Sequence, residues 1–145
     1  MAETMQFDLV SPERRLASMR VTEVRIPGTD GDLTAMAGHA ATITTLRPGL
    51  LRAIGPEGER DFAVTGGFAE IAPEGVTVLA ERATGAADLD QTTYDSYVSE
   101  AREAHRGAQE AGEHGLVADT AKLLADMEAL GTHVGLDPNR SNFGN

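Results

Sequence analysis

The sequence predicts an α+β protein, with an N-terminal antiparallel β-sandwich followed by a C-terminal antiparallel hairpin of two helices. Up to about residue 86, short β-rich runs alternate with turn signals at near-regular spacing, which favours a sandwich or barrel over βαβ units. Beyond that point apolar residues recur at steps of three and four, the spacing of amphipathic helices. We therefore expect a sandwich domain at 1–86, a hairpin domain at 87–136 and a polar, disordered tail at 137–145.

The first strand is predicted at Met5–Leu9, where apolar and polar residues alternate at period two. Met19 and Val21 share one parity, whereas Val24 and Ile26 share the other. This change of parity implies one extra residue near Thr22–Glu23, which the strand must accommodate while its apolar side chains stay on the core face. A β-bulge is the predicted device.

Two dipeptides predict tight turns between the strands. Asp30–Gly31 lies between apolar runs and is favoured in two-residue hairpins, because both residues tolerate positive φ. Pro48–Gly49 predicts a second turn, in which Pro presets the first central φ and Gly adopts the second. Later strands are predicted between further Gly- and Pro-containing turns, at Leu50–Ile54, Arg60–Thr65, Phe68–Ala72 and Val76–Ala80.

The helical hairpin is predicted from two apolar stripes joined by a glycine-rich link. Asp88 is the expected N-cap of the first helix, and Gln91 three residues later completes a capping box. The second helix is expected to end at Gly131. The first stripe consists of Tyr94, Tyr97, Val98, Ala101, His105 and Ala108, and the second of Leu116, Leu123, Leu124, Met127 and Leu130.

Composition excludes several classes of function. The net charge of −11 over 145 residues argues against binding to nucleic acid or to an anionic lipid surface, both of which are held by Lys and Arg clusters. The chain has no cysteine, which excludes disulfides, thiolate metal sites and cysteine nucleophiles. No apolar run approaches the roughly 20 residues that span a bilayer, and the first residues lack a secretory signal. We expect a cytosolic bacterial protein without direct membrane insertion.

No catalytic, cofactor or metal site is predicted. A phosphate-binding loop needs a lysine after its glycines, but the only lysine is Lys122, in the second predicted helix. The four histidines lack the spacing of a metal site, and no G-x-S-x-G elbow is present. The acid pair Asp30 and Asp32 sits in a turn, where Asp is favoured for backbone hydrogen bonding alone. His39, considered by itself, is interpreted as a loop residue bonded to backbone.

Three sequence blocks carry a resemblance to a known family. They read IPGTDGDLTAMAGHA at 26–40, LRPG at 46–49 and FAVTGGFAEIAPEGVTVLAERA at 62–83. Their order and spacing resemble the epsilon subunit of bacterial F-type ATP synthases, which has a P-G-x-E/D-G-D/E turn, then G-H-A, a Pro-Gly turn and a Gly-Gly junction before V-T-V-L-A. Ala37 and Ala41 depart from the pattern, since relatives usually carry proline there.

The resemblance implies a non-catalytic rotor subunit of the central stalk that couples proton flow to ATP synthesis. The implied partners are the gamma subunit and the c subunits of the membrane rotor ring, with Asp32 and His39 as ring-contact residues. In relatives that brake ATP hydrolysis, the hairpin also reaches the catalytic beta subunit. The implied location is the cytoplasmic side of the bacterial inner membrane, and no cofactor is implied.

Two alternative functions are a stand-alone acidic binding module and an ATP sensor. ATP-binding relatives carry I/L-D-x-x-R-A in the second helix, whereas the matching segment here has Ala129 in place of Arg, next to Glu128. From residue 88 onwards the chain has eleven acidic and four basic residues, which opposes docking to an acidic surface. We therefore predict a poor ATP sensor and a poor brake. The module hypothesis leaves the ordered sequence blocks unexplained.

Overall fold

The computed structural model describes residues 3–138, which contain ten strands, one turn of 3-10 helix and two α-helices. The chain divides into two compact units between Ala86 and Ala87. The strands are β1 Met5–Val10, β2 Arg15–Val21, β3 Glu23–Gly28, β4 Gly31–Met36, β5 Thr42–Thr45, β6 Gly49–Gly55, β7 Gly58–Val64, β8 Gly67–Ala72, β9 Gly75–Ala80 and β10 Ala83–Gly85.

The strands of the first unit form two five-stranded sheets. Sheet A has the order β2-β1-β9-β8-β5, and sheet B has the order β10-β7-β6-β3-β4. The predicted fold class, a β-sandwich followed by two helices, is confirmed. One strand pair was not anticipated, because β1 runs parallel to β9 while the other paired strands are antiparallel. These two strands are far apart in sequence, so no tight turn between them dictates an antiparallel direction.

The sandwich core is built from alternate residues of both sheets. Met5, Phe7 and Leu9 of β1 are buried, as period two predicts. Phe7 meets Phe62 of the other sheet with ring centroids 6.3 Å apart and the planes tilted by 46°. Such interdigitation between two inner faces is what fixes one sheet on the other.

The bulge predicted near Thr22–Glu23 is wrong. β2 belongs to sheet A and β3 to sheet B, so the chain crosses between the sheets at Thr22. The Thr22 amide and hydroxyl both donate to the carbonyl of Ile54, at 2.7 and 3.1 Å. The parity of the apolar residues therefore changes because the chain changes sheets, and Val21 and Val24 face one core from opposite sides.

Both predicted turns differ in detail from the structure. The β3–β4 hairpin turns at Thr29–Asp30, one residue earlier than expected, and Gly31 begins β4 with φ 131°. Pro48 is a bend rather than the first half of a turn, and Gly49 is the first residue of β6. Gly49 is needed for space, since a Cβ there would lie 2.9 Å from Cβ of Pro27.

The second unit is a hairpin of α1, Gln91–Ala111, and α2, His114–Val134. The N-cap of α1 is Asp90, which accepts a 2.7 Å hydrogen bond from the Thr93 amide, so the predicted N-cap Asp88 is wrong. The link between the helices is Gly112–Glu113, with Gly112 in the left-handed conformation at φ 68°. The predicted stripe of α1 is confirmed, because it is buried except at His105, which is half-buried.

The stripe of α2 is confirmed only in part. Met127 and Leu130 are buried, but Leu116 is exposed. The predicted end at Gly131 is wrong, since α2 continues to Val134 and ends at Gly135, with φ 80°. Gly131 is buried inside the helix.

The segment after α2 returns to the start of α1. The side-chain amide of Gln91 donates to the carbonyl of Asp137 at 2.9 Å and accepts from its amide at 3.0 Å. The predicted capping role of Gln91 is therefore replaced by a bond to this segment. Residues 139–145 of the predicted tail lie outside the described residues.

Candidate functional site

Asp32, one of the two predicted contact residues, lies near the tip of the β3–β4 hairpin. It is the second residue of β4, an edge strand of sheet B, and it pairs with Pro27. Its side chain is 79% exposed. A carboxylate at such a place is available to a partner molecule, as residues beside exposed turns commonly are.

Arg47 contacts this hairpin from the connection between β5 and β6. Its Nη2 forms an ion pair with Oδ1 of Asp32, and its Nη1 donates to the carbonyl of Gly28 at 2.6 Å. The Arg47 side chain is only 25% exposed. One planar guanidinium therefore joins two points of the same hairpin, a geometry that its fixed fork of donors favours.

The backbone beside Arg47 adds further bonds to the hairpin tip. The amide of Thr29 donates to the carbonyl of Thr45 at 2.8 Å, and the amide of Arg47 donates to the carbonyl of Pro27 at 2.9 Å. The tip is thus bonded to the chain that leads from sheet A to sheet B.

His39, the other predicted contact residue, follows the far end of β4. Its Nδ1–H donates to the carbonyl of Ala40 at 2.7 Å, which agrees with the interpretation of a loop histidine bonded to backbone. The His39 amide donates to the carbonyl of Met36 at 3.0 Å, and the neighbouring Gly38 amide donates to Pro73 at 2.9 Å. His39 is half-buried as a residue, and within residues 3–138 its Nε2 has no hydrogen-bond partner.

The structure does not bring Asp32 and His39 together. Met36 lies four positions after Asp32 in β4, which corresponds to about 13 Å along a strand. Asp32 lies at the hairpin-tip end of this strand, whereas His39 lies beyond its opposite end. The two residues form two separate points on the sandwich surface.

An apolar patch on the outer face of sheet A was missed by the sequence analysis. It comprises Ile43, Phe68 and Leu79, which are 70%, 45% and 43% exposed. Phe68 and Leu79 are directly paired across β8 and β9, and Ile43 lies on the adjacent edge strand β5. The period-two alternation of these strands could have predicted the patch. Because Ala69 and Val78 are buried, their neighbours Phe68 and Leu79 must point outwards.

The outer face of sheet B has a different character, since charge pairs cross its strands. Arg52 donates to both carboxylate oxygens of Asp61, at 2.8 and 3.1 Å, and lies 3.7 Å from Glu59. The hydrogen bond to Asp61 is the main reason that the pKa of Arg52 is raised above its ordinary value. Arg25 and Glu23 form another pair at 3.1 Å.

The candidate residues and the apolar patch lie on the surface of the sandwich, where a partner can reach them. Within residues 3–138, no group of three His, Asp or Glu side chains is placed to hold a metal ion. The same part of the chain has no helix long and apolar enough to cross a membrane.

The half-buried His105 bonds to the Thr120 hydroxyl at 3.0 Å, between the two helices of the hairpin.

Comparisons with known proteins agree on one family. Residues 4–86 match the family described as ATP synthase, Delta/Epsilon chain, beta-sandwich domain. The chain is 59% identical over 147 residues to the ATP synthase epsilon chain of Paracoccus denitrificans (strain Pd 1222), covering 99% of each sequence. It is 58% identical over 137 residues to the epsilon chain of Ruegeria sp. (strain TM1040), covering 94% of this chain and 100% of the relative.

The fold is also found among solved structures. A chain in the cryo-EM structure of the Euglena gracilis mitochondrial ATP synthase, OSCP/F1/c-ring in rotational state 1, superposes with a TM-score of 0.67. The superposition covers 90% of this chain and 81% of that one at 19% sequence identity. At this identity the likeness establishes the fold alone.

Proposed function

Because the chain belongs to the family of ATP synthase epsilon chains, we propose that it is a non-catalytic rotor subunit of the central stalk that couples proton flow to ATP synthesis. In this role it binds the gamma subunit and the c subunits of the membrane rotor ring, and it catalyses no reaction by itself. The observation that carries the proposal is the match along almost the whole length of relatives that bear this name.

We propose that gamma binds the outer face of sheet A. Exposed apolar residues that lie side by side are costly in water and mark interaction surfaces. Phe68 and Leu79 form such a pair, with Ile43 on the neighbouring strand, whereas the outer face of sheet B carries charge pairs and has the exposed Met36 on its edge strand. Large apolar and aromatic residues at the centre of an interface supply most of its binding energy.

The test is co-elution with gamma from the same organism in size exclusion. The wild-type chain is expected to co-elute, whereas the double variant Phe68→Ser with Leu79→Ser should lose co-elution without a large fall in melting temperature. Leu116→Ser is the matched control, since Leu116 is 46% exposed but lies on the helical hairpin. A double variant that co-elutes as well as wild type would assign gamma to another face.

Asp32 and His39 are the proposed ring contacts, as two separate points. The chain has no cysteine, so single cysteines at these positions are unique. Each is expected to cross-link, in membranes, to a cysteine in the polar loop of the ring subunit. Because the two residues lie towards opposite ends of β4, each must be tested alone. If a cysteine at one of them forms no cross-link while a control cysteine pair does, that residue is not a ring contact.

We propose that residues 1–86 form a domain that folds without the hairpin at 87–136. The support is that the residues of the sandwich core, and the partly buried residues packed against it, all lie within 5–83. A chain ending at Ala86 should melt cooperatively and still co-elute with gamma. An unfolded truncated chain would make the hairpin part of the core.

The proposed location is peripheral, on the cytoplasmic side of the bacterial inner membrane, where gamma and the ring would hold the chain. A stand-alone binding module is the main alternative function, and an ATP sensor is a weaker one. Ala129 gives the sensor no support, since the fixed fork of an Arg side chain, which binds phosphate, is absent from this position. A stand-alone module is less favoured than the rotor subunit, because it does not account for the match along the full length of epsilon chains.

A further inference from the structure

Arg47 connects the proposed ring contact to the framework of the sandwich. We propose that Arg47 is a positioning residue, which fixes the β3–β4 tip and aims the Asp32 carboxylate at the ring; this inference rests on the proposed function. Asp32 is the residue that touches the partner, and Arg47 acts only through it and through the hairpin tip.

Arg47 lies on the segment that crosses from one sheet to the other. The segment 45–49 leaves sheet A at Thr45 and enters sheet B at Gly49. Leu46 in this segment forms an isolated bridge with Gly28. A side chain on this crossing therefore holds the hairpin tip to a part of the chain that both sheets fix.

Four bonds from the segment 45–47 converge on the hairpin tip. Arg47 alone contributes three, because its guanidinium contacts Asp32 and the Gly28 carbonyl and its own amide donates to Pro27. The Thr29 amide adds a fourth bond to Thr45. A contact that carries torque must be rigid. These bonds restrict the conformational freedom that a two-residue turn would otherwise have.

The ion pair with Arg47 determines what Asp32 presents to its partner. Arg47 engages Oδ1, and among residues 3–138 the other carboxylate oxygen has no partner. The Arg47 charge offsets the Asp32 charge, so the free oxygen acts mainly as a hydrogen-bond acceptor at a fixed place. The matching group on the ring is therefore a hydrogen-bond donor, such as a backbone or side-chain amide, or a guanidinium.

Amide hydrogen exchange in the isolated full-length chain tests, without any partner, whether Arg47 fixes the β3–β4 tip. In Arg47→Gln, the amides of residues 29 and 47 should exchange about tenfold faster, whereas that of Phe62 should keep its rate. Arg52→Gln is the matched control, because Arg52 forms an arginine–carboxylate pair with Asp61 on the same sheet but away from the tip. If the exchange rates at residues 29 and 47 are unchanged in Arg47→Gln, Arg47 does not fix the β3–β4 tip and the proposal is wrong.

Cross-linking in the assembled enzyme tests the positioning. A cysteine at Asp30, on the hairpin tip, is paired with one in the polar loop of the ring subunit. Arg47→Gln should lower the cross-linking yield several-fold and leave gamma co-elution unchanged. Arg47→Lys should restore only part of the yield, because Lys supplies the charge without the planar fork.

The two failures are distinguishable. If the Asp30→Cys chain with Arg47 intact does not cross-link, the ring contact is wrong and the positioning role falls with it, whatever the exchange rates show. If that chain cross-links and Arg47→Gln exchanges faster but cross-links equally well, the ring contact stands and the positioning role is overturned.

Discussion

The phenol of Tyr94 on α1 lies directly against Gly131 on α2. The hydroxyl donates to the Met127 carbonyl at 2.7 Å, and Tyr94 is fully buried. A Cβ at position 131 would overlap the hydroxyl and the ring of this tyrosine. The glycine is therefore required by the close approach of the two helices, which fixes their register in the hairpin.

Gly131→Ala should destabilise the hairpin. The added methyl must displace a buried aromatic ring, and overpacking of this kind typically costs about 1–3 kcal/mol. The expected result is an earlier loss of the helical circular dichroism signal at 222 nm on heating the full-length chain.

Gly107→Ala is the matched control for this variant. Gly107 also lies inside a helix, but nothing is within 4 Å of the place that its Cβ would take. Alanine should therefore stabilise the hairpin by about 0.5–1 kcal/mol through its higher helix propensity. A Gly131→Ala chain that melts at or above the wild-type temperature would contradict the packing role of Gly131.

Tyr94 should also make the hairpin sensitive to alkaline pH. Burial is the main cause that raises the pKa of Tyr94 to about 12 from 10.0. The folded protein holds the phenolic proton more tightly than the unfolded chain does, so this stabilisation is complete below pH 10 and is lost as the pH rises towards 12.

The wild-type chain should therefore lose melting temperature between pH 10 and 12 more steeply than Tyr94→Phe, which has no proton to lose at this position. The variant starts from lower stability because it lacks the bond to Met127. The measurement is a series of thermal melts across this pH range. Equal slopes in the two proteins would show that another group causes the alkaline loss.

Asp90→Ala should lower the melting temperature of the hairpin at neutral pH, whereas Asp88→Ala should leave it unchanged. Only Asp90 accepts the Thr93 amide. This hydrogen bond lowers the pKa of Asp90 below 3.8, so its stabilisation is present above that pH and is lost as the pH falls through the lowered value. Thermal melts at pH 7 and pH 2 should show a larger difference between wild type and Asp90→Ala at pH 7 than at pH 2. An equal effect of Asp88→Ala would contradict the assignment of the cap.

Removal of the hairpin should have little effect on ATP hydrolysis. From residue 88 onwards the chain carries eleven acidic and four basic residues, so this part is repelled by acidic surfaces, and deletion after Ala87 should raise hydrolysis by less than about twofold. Millimolar ATP should not shift the melting temperature of the isolated chain, because Ala129 offers phosphate no donors. A several-fold rise in hydrolysis or a clear shift with ATP would contradict the respective prediction.

Local patterns in the sequence were enough to predict most of the elements. Apolar residues recur on the buried side of each element, which produces the alternation in β1 and β9 and the stripe of α1. The edge strand β5 has one half-buried residue, Thr44, among exposed neighbours, so it lacks a strong alternating pattern. It was not predicted for that reason.

Contacts between residues far apart in sequence could not be predicted in the same way. The crossing at Thr22 mimics a bulge, because both devices shift the apolar parity by one residue. Gly131 resembles a helix end until Tyr94, 37 positions earlier, is known to pack on it. The contact of Arg47 with Asp32 depends on the crossing between two sheets, which no local pattern records.

Proton pumping tests the central claim most directly. Inverted membranes from the source organism, depleted of their own epsilon subunit, are supplied with this chain, and ATP-driven acidification is followed by quenching of a pH-sensitive dye. If the chain is the coupling subunit of the central stalk, acidification should return towards the level of undepleted membranes, and the Phe68→Ser/Leu79→Ser variant should restore much less. Folded wild-type chain that restores no acidification at saturating concentration would contradict the account.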